Sequence, residues 1–82
     1  MHRATIRTAA QVSEIVRARR HALGLSQAEV GAVLGIQQGR YSTLEANAGQ
    51  LSLERLLLLC AKLGLELSIE DKPTSTSPAS EW

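Results

Sequence analysis

The stretch from Ser26 to Glu45, SQAEVGAVLGIQQGRYSTLE, constrains this chain more than any other. It reads as two short helices joined by a tight turn. Ser26 opens the first helix, and Glu29 three residues on completes a capping box, in which each residue's side chain bonds the other's backbone N–H. Gly35 supplies the left-handed residue that a sharp helix stop needs. Val30, Leu34, Ile36, Tyr41 and Leu44 are the apolar positions, and their spacing fits two helices that bury one shared face. Gly31 falls inside the first helix, where glycine costs about 1 kcal/mol relative to alanine. A close approach of the second helix accounts for it, because a larger side chain would hold the two apart.

An ordinary corner between two helices of a small bundle would share this periodicity. The capping box, the small residue at Gly31, the turn glycine and the apolar Ile36 directly after it point together to a helix-turn-helix. In that motif the second helix enters the major groove of DNA.

A chain of 82 residues holds one domain and a limited core, so association with another copy is an expected source of stability. With no Phe, one Tyr and one Trp, the core must be aliphatic. The longest apolar run, Leu56–Ala61, is far short of a membrane span. Residues 1–10 lack the apolar centre of a secretory signal, and the lone Cys60 has no partner for an internal disulfide. A cytoplasmic protein is the expectation.

The net charge of +1 hides a polarity. Arg3, Arg7, Arg17, Arg19 and Arg20 face only Glu14 among residues 1–25, whereas Glu54, Glu66, Glu70, Asp71 and Glu81 outnumber Arg55, Lys62 and Lys72 after residue 50. The basic end suits phosphate contact, and the acidic end suits a protein partner or plain solvation. For any one arginine, a solvated helix face is the alternative.

Along the chain, residues 1–7 read as a flexible basic arm. Thr8 and Gln11 form a second capping box, opening a helix to about Leu23 whose inner face draws on Val12, Ile15, Val16, Ala22 and Leu23. Gly24 stops it. The motif helices follow at about 27–34 and 38–46. Asn47–Gln50 make a turn, and Ser52 caps a fourth helix over 53–63, with Gly64 ending it. Glu54 and Lys62 suit its two ends. Residues 8–70 thus make up the domain.

The period then changes. Leu65, Leu67 and Ile69 alternate with Glu66, Ser68 and Glu70, the mark of a strand. A lone strand leaves its backbone groups unpaired, and no second strand is evident in this chain. Pairing with the same strand of a second copy solves this, as a two-fold antiparallel ribbon. The alternative is a short fifth helix. Residues 71–82, DKPTSTSPASEW, have the composition of a disordered tail. Its last residue, Trp82, is either an anchor that docks in a partner's pocket, or a residue that has no function or folds back on its own domain.

From Ala9 to Leu63, and above all in GLSQAEVGAVLGIQQGRYSTLE, the chain resembles the phage-repressor-like Cro/C1 (XRE) helix-turn-helix family. The resemblance implies an all-α fold: four to five helices in a Cro/C1-type helix-turn-helix domain, with one short C-terminal β-strand pairing across a dimer. It implies that Gln27 holds a DNA phosphate and that Gln37, Gln38, Gly39 and Arg40 face the groove. Ser42 would touch backbone phosphate, with Thr43 and Arg17 as further phosphate contacts. Arg20 and Glu45 fall at the positions of a structural ion pair. The sequence LGLELSIE after the fourth helix, then a polar tail ending in Glu-Trp, is similar to the HipB-type antitoxins. That resemblance implies a homodimer that represses its own operon on palindromic double-stranded DNA. It also implies binding of a HipA-like serine/threonine kinase toxin, with the tail docking on the kinase.

Glutamine suits adenine, because its amide pairs with both N6 and N7 in the major groove. Gln38 is the first choice for that contact and Gln37 the second, with capping of its own helix as the alternative for Gln37. Arg40 suits guanine or a phosphate, and Gly39 permits close approach. Tyr41 reads as core. No catalytic constellation is present: His2 and His21 lack partners at motif spacing, and Cys60 among leucines reads as an inert buried thiol. No metal or cofactor is expected. Two other functions remain open from sequence: a free-standing phage-type or restriction-control regulator without a toxin partner, and a protein-interaction module that does not bind DNA.

Overall fold

Side-chain caps set where the first, second and fourth helices of this chain begin. The computed structural model describes residues 3–72, so His2 and the tail anchor Trp82 lie outside the described residues. Four helices run in chain order: α1 Ala9–Ala22, α2 Gln27–Val33, α3 Gln38–Ala46 and α4 Leu53–Leu63, with a 3-10 turn at Ala48–Gln50 between the last two. Thr8 and Gln11 form the reciprocal cap of α1, and Ser26 and Glu29 that of α2. The Ser26 backbone and hydroxyl bonds to Glu29 also hold that carboxyl below its ordinary pKa. The Ser52 hydroxyl accepts the Arg55 N–H at 3.1 Å to start α4. Stops are set by Gly35 and Gly64, at φ of 73° and 69°, a region that L side chains rarely occupy. After Gly64, the Leu65 N–H donates to the Cys60 carbonyl at 2.8 Å and closes the helix end.

The core is aliphatic with one aromatic. Val16 of α1, Val30 and Leu34 of the α2 end, Tyr41 of α3, and Leu59 and Leu63 of α4 are buried together. Val12, Leu25, Ile36, Leu51 and Leu65 pack around them. Burying each of the large members stabilises the fold by about 1.5–3 kcal/mol.

The inner face of α1 differs from the sequence expectation. Val16 is buried and Val12 and Ile15 half-buried, but Ala22 and Leu23 are exposed. The helix ends at Ala22, so Leu23 leaves the helical stripe before it reaches the core. Ser13 and Arg20 take the interior places instead, one turn either side of Val16. The Ser13 hydroxyl accepts the Ala48 N–H at 3.0 Å, tying α1 to the 3-10 turn.

Residues 65–72 run on as non-helical chain, so the fifth helix does not form among the described residues. No strand ladder forms among them either: a single copy offers this segment nothing to pair with. Leu65 is half-buried against the core, while Ile69 is 96% exposed. In the N-terminal arm, Arg3 makes an exposed ion pair with Glu70. No helix among the described residues is long and apolar enough to cross a membrane.

Candidate nucleic-acid interface

The turn between α2 and α3 passes through Gly35 at φ 73° and closes tightly over Gly31. The Ile36 N–H donates to the Gly31 carbonyl at 3.0 Å, folding the chain back over α2. A Cβ on Gly31 would sit 3.0 Å from the Ile36 carbonyl oxygen and 3.2 Å from the Tyr41 Cβ. The close approach inferred from sequence is therefore present, and it presses the first turn of α3 onto α2.

Helix α3 turns Tyr41, Leu44 and Glu45 inward. Gln37, Gln38, Gly39, Arg40 and Thr43 are exposed, and Ser42 is half-buried. Gln37 occupies the position before the first helical residue, yet its side chain makes no capping bond, so its amide is free to face outward. A Cβ on Gly39 would meet nothing within 4 Å, so this glycine answers no packing need and simply leaves the surface bare. The Thr43 hydroxyl donates back to the Gly39 carbonyl at 3.2 Å. Gln50, read from sequence only as a turn residue, lines a shallow hollow with Gly39, Arg40 and Thr43. A polar side chain in the connection just after the second motif helix was the signal for it.

Beneath this surface lies a buried polar network. Arg20 Nε donates to Glu45 Oε2 at 2.8 Å and Arg20 Nη2 to Oε1 at 3.1 Å. The Tyr41 hydroxyl donates to Oε2 at 2.7 Å, and Gln27 Nε2 to Oε1 at 3.3 Å. Arg20 Nη1 also donates to the Leu25 carbonyl at 2.9 Å. A carboxylate accepts only, and four of these donors point at that of Glu45. Burial alone would raise the pKa of Glu45, but the bonds from Arg20, Tyr41 and Gln27 hold it below the ordinary range. The Tyr41 hydroxyl is pushed far up, first by burial and then by its bond to Glu45. Arg20 and Glu45 therefore join α1 to α3 as the sequence comparison implied, while the roles of Tyr41 and Gln27 in the same network were not legible there.

Engagement also thins the supply of free cations. Arg19 Nε donates to the Leu63 carbonyl at 2.7 Å, fastening the end of α1 to the end of α4. With Arg20 buried and Arg3 paired, Arg7 and Arg17 remain exposed and make no ion pair among the described residues. His21 is exposed, and Cys60 is a buried free thiol whose pKa is raised by burial. No cluster of His, Cys, Asp or Glu among the described residues has the makings of a metal site.

Two helices locked at a glycine contact, with the second presenting a polar outer face, define a helix-turn-helix DNA-binding regulator. A family model described as Helix-turn-helix matches residues 15–69, and the chain belongs to that family, in its Cro/C1 (XRE) form. A solved structure of a HipB-O1-O2 complex superposes with a TM-score of 0.72 at 23% identity, covering 84% of this chain and 100% of that one. At that identity the likeness shows a shared fold. No curated protein matches by sequence.

Proposed function

We propose that this chain is a HipB-like antitoxin and autorepressor that acts in the cytoplasm. It binds palindromic double-stranded operator DNA as a homodimer and neutralises a HipA-like serine/threonine kinase toxin. The observation that carries the DNA-binding part is the outer face of α3, where Gln37, Gln38, Gly39 and Arg40 are exposed on a helix braced from behind. In this reading Gln38 reads an adenine, Arg40 a guanine or phosphate, and Gly39 admits the helix deep into the groove. Gln27, Ser42, Thr43 and Arg17 hold phosphates and fix the register. The antitoxin part is supported by the likeness to the HipB fold.

The homodimer is supported by what one copy leaves uncovered. Leu67 and Ile69 are exposed in the segment after α4, and α4 itself exposes Leu53, Leu57 and Leu58. Pairing of Leu65–Ile69 with its counterpart would satisfy the backbone groups and cover these side chains. Ile69→Lys is expected to shift the protein toward monomer at micromolar concentration, read by sedimentation equilibrium. An unchanged association constant would remove this segment from the interface.

The test of DNA binding is fluorescence anisotropy of a labelled duplex from the gene's own upstream region, at two salt concentrations. Binding is expected to weaken steeply with salt. Gln38→Ala is expected to weaken it by about 1–3 kcal/mol. Equal binding to a scrambled duplex, or no loss on substitution, would overturn the recognition-helix assignment. Mixing with a purified HipA-like kinase, with and without Trp82, separates the antitoxin reading from a free-standing regulator: no complex with the kinase supports the latter.

A further inference from the structure

The amide of Gln27 is not free to choose which end it shows the outside. Its Nε2 lies 3.3 Å from Glu45 Oε1, and Glu45 is 3% exposed. A carboxylate oxygen accepts hydrogen bonds and cannot donate. Turning the amide over would set its oxygen against that carboxylate, so the NH2 end must face Glu45. One N–H is used there, and the second N–H on the same nitrogen is left over. A phosphate oxygen also only accepts, so that second N–H is the group it requires.

We propose that Glu45 is a positioning residue for DNA binding: it holds the Gln27 amide with its remaining N–H available to a phosphate. This deepens, and rests on, the DNA-binding reading above. Glu45 is well suited to the task because its own place is fixed by other donors. Arg20 grips both carboxylate oxygens from α1, and the Tyr41 hydroxyl bonds Oε2 within α3. Gln27 stands at the start of α2, so a single carboxylate sets the phosphate-binding amide and the recognition helix in one register. Glutamine at position 45 would keep the size of the side chain but present either an oxygen or an NH2 to Gln27, and the amide would lose its fixed sense.

The test is a double-mutant cycle on duplex affinity, using full-length Gln27→Ala, Glu45→Gln and the pair, each checked for native circular dichroism. Gln27→Ala is expected to weaken binding roughly tenfold, the scale of a hydrogen bond to a charged group. Glu45→Gln is expected to weaken binding several-fold in the unaltered background and to have no further effect once Gln27 is alanine. Equal losses in both backgrounds would mean that Glu45 acts only on the fold, overturning the proposal. Should Glu45→Gln not fold, NMR of the side-chain amides in the unaltered protein decides. The Gln27 NH2 is expected to be rigid where those of the exposed Gln37 and Gln38 are mobile, and equal mobility would overturn the proposal. Failure of the unaltered protein to bind any duplex would overturn the DNA-binding reading and this one with it, whereas binding with additive losses overturns only the role of Glu45.

Discussion

Arg20→Ala is expected to cost the domain about 3–5 kcal/mol, because it strands a buried carboxylate without its cation. The side chains of Arg20 and Glu45 are 9% and 3% exposed, so water does not replace the lost partner. A small domain commonly has only about 5–10 kcal/mol to lose. The urea midpoint should fall steeply, and the protein should approach the edge of folding at 37 °C. Replacing both partners by apolar residues, Arg20→Met with Glu45→Leu, should cost less than either single change, since no orphaned charge remains. A double variant less stable than both singles would show that the pair contributes more than mutual neutralisation.

The same network fixes the sign of the acid response. The folded-state pKa of Glu45 lies below its ordinary value, chiefly because hydrogen bonds and the Arg20 charge outweigh burial. Its contribution is therefore fully present above the unfolded pKa of about 4.3, and is lost as pH falls through the folded value. Stability should decline on acidification below about pH 4, with a shallower decline in Glu45→Gln. Equal acid slopes in the two proteins would show that other carboxylates dominate.

The second large effect is at Gly31. A leucine there must displace the Ile36 carbonyl or Tyr41, which lie 3.0 and 3.2 Å from the first added carbon. Overpacking of this kind costs about 1–3 kcal/mol, and here it also pushes α3 off α2. Gly31→Leu should therefore lose both stability and duplex binding. Gly31→Ala should lose much less, since alanine regains about 1 kcal/mol of helix preference against a smaller clash. If Gly31→Leu kept full affinity for DNA, the contact would not set the pose of the recognition helix.

Local signals carried far along this chain. Thr8, Ser26 and Ser52 announced helix starts because a cap is written within four residues, and the glycine stops at 35 and 64 were equally local. Gly31 was legible because it is a poor helix former with no local reason to be there. Failure came where a residue's fate depends on distant chain. Leu23 carried the right residue type for the core, but the helix ends before it and Arg20 fills the interior to meet a carboxylate 25 positions away. The Gln27 and Tyr41 bonds to Glu45 likewise have no short-range signature. The alternation at Leu65–Ile69 yields no strand ladder within one copy, because the described residues of a single chain offer that segment no partner.

Burial of Cys60 gives the molecule a built-in clock. The residue is 8% exposed on α4, and burial raises its thiol pKa, so a closed domain offers little reactive thiolate. A soluble disulfide reagent therefore reacts faster when the helix opens than when it is closed. Since Cys60 is the one cysteine of the sequence, the labelling rate reports opening of this helix, and a ligand that holds the fold shut slows it exponentially in the stability it adds.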